Sequence, residues 1–484
     1  MRKFENNVQL LRYEVLREVA KMTLDGTLEQ DYDKIPLIII PGSKPRTRCC
    51  VHKERAIISD RVKLAMGGDK ENPNIIETIR EACDECPVQR FNVTDSCRGC
   101  IAHKCSEVCP KGAIVHVHGK AYIDSEKCIE CGRCAQSCPY NAISDTLRPC
   151  VRACTPNAIS IDEDKKAVID NKKCIQCGAC VYQCPFGAMS DKSSIVDVVK
   201  TIQKSKIDGT HVYAAIAPAI ASQFSYARIE QVVRGVKMLG FHDVVEVALG
   251  ADIVAMHEAH EFAETVAEKK LVTSSCCPAF VSYIRKNYPS LESKISNTVS
   301  PMVAIARLIK DMDKDAKIVF IGPCTAKKAE IQQDFAKEDV DYVLTFEELQ
   351  ALLDAHGISI ENCDDGPLNN ASFYGRIFAR SGGVADAVKH VAAAENIDVE
   401  FNPTNCDGIK ECDKALKLAK VNALKFNFIE GMACVGGCIG GAASLCHGPK
   451  DKKEVDKYAS LAMETDVKDA LRVLNLENVN LDRE

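Results

Sequence analysis

The chain has 484 residues, 46% of them hydrophobic and 27% charged, with a formal net charge of −6 and no tryptophan. That length accommodates about three domains. The negative balance argues against a nucleic-acid binder, and the apolar run at 36–40 is far too short to span a membrane. Cysteine is the outlier: there are 27, eighteen of them at or before Cys184, mostly in C-x2-C groups. A secreted disulfide scaffold would be short and would follow an apolar leader. The first residues here run into a charged amphipathic pattern instead. A reducing, cytoplasmic location with thiolates committed to metal is expected.

In residues 1–93, Leu10, Leu11, Val15, Leu16, Val19 and Ala20 recur at helical spacing among charged residues. This predicts one amphipathic helix packed on the rest of the chain; the region's role is otherwise unclear. Adjacent cysteines rarely share a metal, so Cys49 and Cys50 are read as structural. Cys83-x2-Cys86 is half a site.

Residues 94–191 read as a tandem ferredoxin-like relay. Cys128-x2-Cys131-x2-Cys134-x3-Cys138-Pro139 is a bacterial ferredoxin run, and Cys97-x2-Cys100-x4-Cys105-x3-Cys109-Pro110 is the same unit with two extra residues in one gap. In two-cluster ferredoxins the fourth cysteine of each run ligates the other cluster. That rule gives one 4Fe-4S cubane to Cys97, Cys100, Cys105 and Cys138, and another to Cys128, Cys131, Cys134 and Cys109. A further run, Cys174-x2-Cys177-x2-Cys180-x3-Cys184, is complete, but its partner retains only Cys150-x3-Cys154. Cys174, Cys177, Cys180 and Cys154 make a third cubane. Cys150 and Cys184 remain as half a site, vestigial or completed by Cys83 and Cys86. Structural zinc usually separates its cysteine pairs by longer loops, so zinc fits these runs poorly.

Residues 192–484 alternate short β-branched runs (212–218, 244–248, 271–273 and 318–321) with helical stretches at 226–239, 252–268 and 301–312. That alternation predicts an α/β domain with largely parallel sheets. Three cysteine motifs fall in it. Thr273-Ser274-Ser275-Cys276-Cys277-Pro278 and Gly322-Pro323-Cys324-Thr325-Ala326-Lys327 end predicted strands, where such sheets place their sites. Glu430-Gly431-Met432-Ala433-Cys434-Val435-Gly436-Gly437-Cys438 sets two cysteines four apart, as on one helical turn, among glycines that would let backbone approach a bulky inorganic group.

These three motifs, in this order, resemble the signature motifs of the iron-only ([FeFe]) hydrogenases. The resemblance spans about residues 94–484. It implies an α+β ferredoxin-like iron–sulfur domain followed by an α/β two-lobed H-cluster domain. It also implies reversible oxidation of H2 to protons and electrons, with ferredoxin as electron partner and maturation proteins supplying a two-iron unit. Hydrogen splits heterolytically and no ordinary side chain binds it, so a cofactor must carry the chemistry. The implied cofactor is the H-cluster: a 4Fe-4S cubane held by Cys277, Cys324, Cys434 and Cys438, joined through Cys438 to a 2Fe subcluster with CO, CN and a bridging dithiolate. Three accessory cubanes are expected beside it.

By the same resemblance Lys327 binds a cyanide, Met432 packs against the two-iron unit, and Ala217 and Pro218 form the opposite loop. Cys276, Glu258, Ser300 and Glu261 make the proton path, whose usual closing arginine is replaced by Thr265. Lys328 is expected to be solvated. Gly322, Ala219 and Ala279-Phe280 depart from the commoner methionine, serine and Gly-Trp, which marks a divergent subgroup. A non-catalytic iron–sulfur assembly protein and an H2 sensor are the alternatives. Cys363, Cys406, Cys412 and Cys446 are taken as structural.

Overall fold

A computed structural model describes residues 4–368 and 371–483. Its C-terminal part is built on seven strands: β1 (Val212–Ile216), β2 (Asp243–Glu246), β3 (Val272–Thr273), β4 (Lys317–Gly322), β5 (Tyr342–Thr345), β6 (Pro403–Asp407) and β7 (Phe428–Met432). One sheet runs β2-β1-β4-β5 and the other β3-β7-β6. Every pairing in both is parallel. The central strand β4 reads as an apolar run because both its faces are covered: Ile318, Val319 and Ile321 are fully buried.

The helix Val247–Lys269 leaves β2 and enters β3, so it joins the two sheets. It starts earlier than its periodicity suggested. Val247 and Ala248, read as strand, are its first turn, and every residue from Val247 to Ala255 is buried. Gly250 permits this depth, since a Cβ there would stand 2.2 Å from the Pro301 carbonyl oxygen.

The amphipathic helix of the N-terminal region is Asn7–Leu24, capped by Asn6, whose side chain accepts from Gln9 N at 2.9 Å. Val15, Val19 and Ala20 enter the same core as β1 and β4. Gln9 Nε2 donates to the Ser444 and Leu445 carbonyls, 3.1 Å each, and Arg12 pairs with Asp191 (2.6 Å) and Glu347 (3.0 Å). This segment therefore stabilises the C-terminal part directly. Lys328 belongs to the same network. It is buried, not solvated, and pairs with Asp191 (2.8 Å) and Glu348 (2.9 Å); the short helix Thr325–Glu330 turns it inward.

The cysteine-rich part consists of short antiparallel pairs: 91–93 with 143–145, 114–117 with 120–123, 159–161 with 167–169, and 76–78 with 189–191. No helix among the described residues is long and apolar enough to cross a membrane.

Candidate active site

Four segments leave the C-terminal ends of parallel strands and converge. Ala217 and Pro218 follow β1, Cys276 and Cys277 follow β3, Cys324 follows β4, and Cys434 and Cys438 follow β7. Cys277 and Cys324 each occupy the position just before a helix, 278–287 and 325–330. The sites sit at strand ends because there the chain leaves the sheet and side chains can point into the gap between layers.

Between them lies a cavity of about 80 Å³, lined among others by Ala217, Pro218, Cys276, Lys327, Met432 and Cys438. The lining is largely apolar, and Met432 is 2% exposed. Lys327 Nζ pairs with Glu330 Oε2 at 2.5 Å and approaches the Cys276 carbonyl at 3.5 Å. It is the cation in the wall.

The thiols suit a cationic cluster. All 27 cysteines are free. Burial, with Cys277 next to it, pushes Cys324 up to about 11. Burial, with Cys324, Cys277 and Cys177 nearby, drives Cys434 well above the ordinary thiol range. Such thiols ionise only against metal charge. Among the described residues no three His, Cys, Asp or Glu side chains stand close enough to chelate one ion; a cubane, with four irons and four cysteines, does not require that convergence.

Two features of the third motif differ from the sequence reading. Cys434 and Cys438 do not share a helical turn. Gly436 and Gly437 both take φ near +88°, which breaks the helix, and Cys438 opens a separate 3-10 turn, Cys438–Gly440. Two of the glycines, Gly431 and Gly437, also make room for neighbouring protein. A Cβ on Gly431 would lie 2.1 Å from the Phe280 ring, and one on Gly437 would lie 2.6 Å from Ser381 N. Phe280 is fully buried, so Gly431→Ala is expected to cost about 1–3 kcal/mol by overpacking. Anaerobic denaturant unfolding of the apoprotein measures this, and Gly431→Ala combined with Phe280→Leu should recover much of the loss.

On the far side of Cys276 lies a chain of titratable groups. Glu258 is 1% exposed, and its Oε1 accepts from Ser275 N at 3.3 Å. Its Oε2 has no partner among the described residues. Burial, reinforced by the Glu261 charge, raises its pKa to about 8. Burial and the Glu258 charge likewise raise Cys276 well above the ordinary value. Glu261 accepts from Ser296 Oγ (2.5 Å), Thr298 Oγ1 (3.1 Å) and Asn297 N (2.9 Å).

The serine beside the glutamates is Ser296, whose hydroxyl donates to Glu261 and lies close enough to Glu258 to help lower its pKa. It is not Ser300, which begins the helix Pro301–Met312 with its Oγ buried and unpartnered. Ser296 lies in a loop with no periodicity to mark it; only its three-dimensional position beside two carboxylates identifies it.

A second residue had no sequence signal. Arg483, near the C-terminus, donates to the Ser275 carbonyl (2.5 Å) and the Thr298 carbonyl (3.2 Å). Its backbone pairs with Asn297. Burial lowers its pKa, while Glu330, Cys276 and Glu258 favour its charge. Thr265, in the place of the expected arginine, bonds only the Glu261 carbonyl. A cation thus reaches this region from another part of the chain.

The cysteine run at 174–184 lies beside this site. Cys177 senses Cys277, and Cys434 senses Cys177. A Cβ on Gly178 would touch Ala442 and Thr325, 2.6 Å each. The third run is therefore packed against the catalytic motifs.

Comparison with known proteins agrees with this arrangement. Residues 210–442 match the iron only hydrogenase large subunit, C-terminal domain. Residues 121–144 match a 4Fe-4S binding domain, and 148–188 a 4Fe-4S dicluster domain. Iron hydrogenase 1 of Clostridium pasteurianum is 29% identical over 69% of this chain and 66% of its own length. The cytosolic iron-sulfur assembly component 3 of Rattus norvegicus is 24% identical over 43% of this chain and 55% of its own length. The chain thus spans about two thirds or less of these relatives. A solved [FeFe]-hydrogenase structure shares the fold with a TM-score of 0.50, at 18% identity over 60% of this chain and 95% of that one.

Proposed function

We propose that the chain, which matches the iron-only hydrogenase family model over residues 210–442, belongs to that family and catalyses the reversible oxidation of H2 to protons and electrons. Cys277, Cys324, Cys434 and Cys438 would hold the cubane of an H-cluster, with the two-iron unit in the cavity beside Lys327, Met432, Ala217 and Pro218. When bound, that group supplies the metal chemistry that splits or forms H2. The protein supplies the rest. Lys327 is a cationic donor for anionic ligands, and the apolar lining excludes water. Cys276 Sγ, Glu258, Ser296 Oγ and Glu261 carry a proton between the cavity and the half-buried side of Glu261. The ferredoxin-like cysteines would exchange electrons with a small carrier such as ferredoxin.

The observation that carries this reading is the juxtaposition of the cavity with that buried relay. A protein that only handles iron–sulfur clusters needs no carboxylate raised to about 8 behind its cysteines. The similarity to an iron-sulfur assembly component favours a second reading, in which the cubanes are kept and no two-iron unit binds.

Infrared spectroscopy of anaerobically matured protein separates the two. CO and CN⁻ bands that shift under H2 are the expected result. Full cubane iron without such bands, despite working maturation machinery, would establish the assembly reading.

A further inference from the structure

The run at 97–138 forms one complete ferredoxin unit. A strand, 91–93, leads to Cys97, Cys100, Cys105 and Cys109. A hairpin follows, 114–117 with 120–123. Then come Cys128, Cys131, Cys134 and Cys138, and strand 143–145 closes the unit by pairing back onto 91–93. The remaining cysteines repeat that order with one interruption. Strand 76–78 leads to Cys83 and Cys86. After residues 87–149 the chain resumes at Cys150 and Cys154, then the hairpin of 159–161 and 167–169. Cys174, Cys177, Cys180 and Cys184 follow, and strand 189–191 pairs back onto 76–78.

The hydrogen bonds to sulfur coincide position by position. In the complete unit the Ala121 amide, on the second hairpin strand, donates to Cys97 Sγ at 3.4 Å. In the interrupted one the Ala167 amide, at the same place, donates to Cys83 Sγ at 3.4 Å. Each fourth cysteine accepts from an alanine amide four residues on: Cys109 and Cys138 at 3.3 Å, Cys154 at 3.2 Å and Cys184 at 3.3 Å. Each of these turns passes through a left-handed residue, Gly112, Asn141, Asn157 or Gly187. Cys83 therefore stands where Cys97 stands.

We infer that residues 76–191 hold two nested ferredoxin units, the inner one inserted between the second and third cysteines of the outer one. Cys83, Cys86, Cys150 and Cys184 ligate a fourth accessory 4Fe-4S cluster. The crossover of fourth cysteines gives this set directly. It also removes a mismatch: the dicluster match at 148–188 contains six cysteines, where two cubanes need about eight.

Three further observations fit this site. Cys83, Cys150 and Cys184 are all buried and belong to one packed cluster. Arg148 is 5% exposed and has no carboxylate partner among the described residues. It donates to the Pro87 and Lys165 carbonyls and lies 3.8 Å from Cys83 Sγ. A buried guanidinium needs an anion, and a thiolate-ligated cluster supplies one. The helices Pro149–Ala153 and Ala179–Gln183, which carry Cys150 and Cys180, pack on each other, and Cys177 lines one cavity with Cys434. The fourth site thus adjoins the third, and both ends of the inserted unit, Cys86 and Cys150, are its ligands. Electrons entering the inserted unit would reach the catalytic cysteines through it. Hydrogen turnover is not needed for this inference, only cluster binding.

The test uses the full chain expressed without two-iron maturation and reconstituted anaerobically. About 20 iron atoms per chain are expected from five cubanes. The Cys83→Ala/Cys86→Ala variant should hold about 16 and lose one spin in the fully reduced electron paramagnetic resonance spectrum. A wild-type plateau near 16, or a variant with undiminished iron and spin, would overturn the site. Arg148→Leu provides a check that spares every ligand. With iron content unchanged, one cluster's midpoint potential should fall, since a buried cation favours the reduced state. Unmoved potentials would overturn the placement of the cluster beside Arg148. Cys49→Ala/Cys50→Ala, which removes two exposed thiols, should change neither readout.

Discussion

Glu258→Gln is expected to lower hydrogen turnover by about 10²–10⁴-fold, the usual contribution of a proton-transferring side chain. Iron content and the CO and CN⁻ bands should not change. Glutamine keeps the shape of the side chain and can still accept from Ser275 N, so the fold around Cys276 has no cause to shift. What it lacks is the ability to take a proton on one side and release it on the other. With its pKa near 8, Glu258 exists in both forms at neutral pH, as a two-way relay requires. The same shift has a consequence for stability. The folded state holds this proton up to about pH 8, while an unfolded glutamate releases it near 4.5. Between those values the folded state binds more protons, so stability falls as pH rises, by up to roughly 5 kcal/mol for this group alone. Above pH 8 the variant should unfold at higher denaturant than wild type, and below pH 5 the difference should vanish. Wild-type turnover in the variant would remove Glu258 from the path.

The contrast between Cys277 and Ser296 shows what a sequence makes legible. Cys277, Cys324 and Cys434 sit in short motifs next to strands, and strand ends meet in a parallel sheet; a local pattern therefore predicts a spatial one. Ser296 and Arg483 reach the relay through loops and a chain end, with neither period nor motif to place them. Glycine was legible only in part, for a related reason. Gly431 and Gly437 signal close approach, but the sequence does not say what approaches, and the answer is Phe280 and the backbone at Ser381. The sequence leaves the fourth cluster open, as one of two readings of Cys150 and Cys184. Cys83 and Cys86 look like half a site because residues 87–149 separate them from Cys150, and only the pairing of 76–78 with 189–191 brings the halves together. Lys328 was read by its neighbour: two adjacent lysines suggest one inward and one outward, yet a turn this short, packed on both sides, buries both.

Lys328→Met is expected to destabilise the protein by about 3–5 kcal/mol. Lys328 is 4% exposed and is held between Asp191 and Glu348, while Asp191 also holds Arg12. Burial works against every charge here. Even so, Lys328 and Arg12 keep Asp191 below the usual carboxylate range, and Asp191 and Glu348 keep Lys328 above the usual ammonium range. Methionine fills the space but leaves two carboxylates with one fewer cation in a dry interior. The signs fix the pH window. Asp191's contribution is present above its unfolded pKa of 3.8 and is lost as pH falls through its lower folded value. Lys328's contribution is present below 10.5 and is lost as pH rises through its higher folded value. The gap between wild type and variant should thus be widest near neutrality and close in strong acid and in strong base. Lys337→Met, which removes an exposed pair with Asp334, should leave the denaturation midpoint unmoved. The effect should also reach the catalytic site. Lys328 lies in the short helix that begins after Cys324 and carries Lys327, and Asp191, which pairs with both Lys328 and Arg12, ties that helix to the outer ferredoxin unit and to the N-terminal helix. Loosening it should lower cubane retention at the catalytic cysteines before the accessory clusters are lost, as followed by iron release during mild denaturation. Simultaneous loss of all clusters would mean instead that the network stabilises the whole chain without favouring the site.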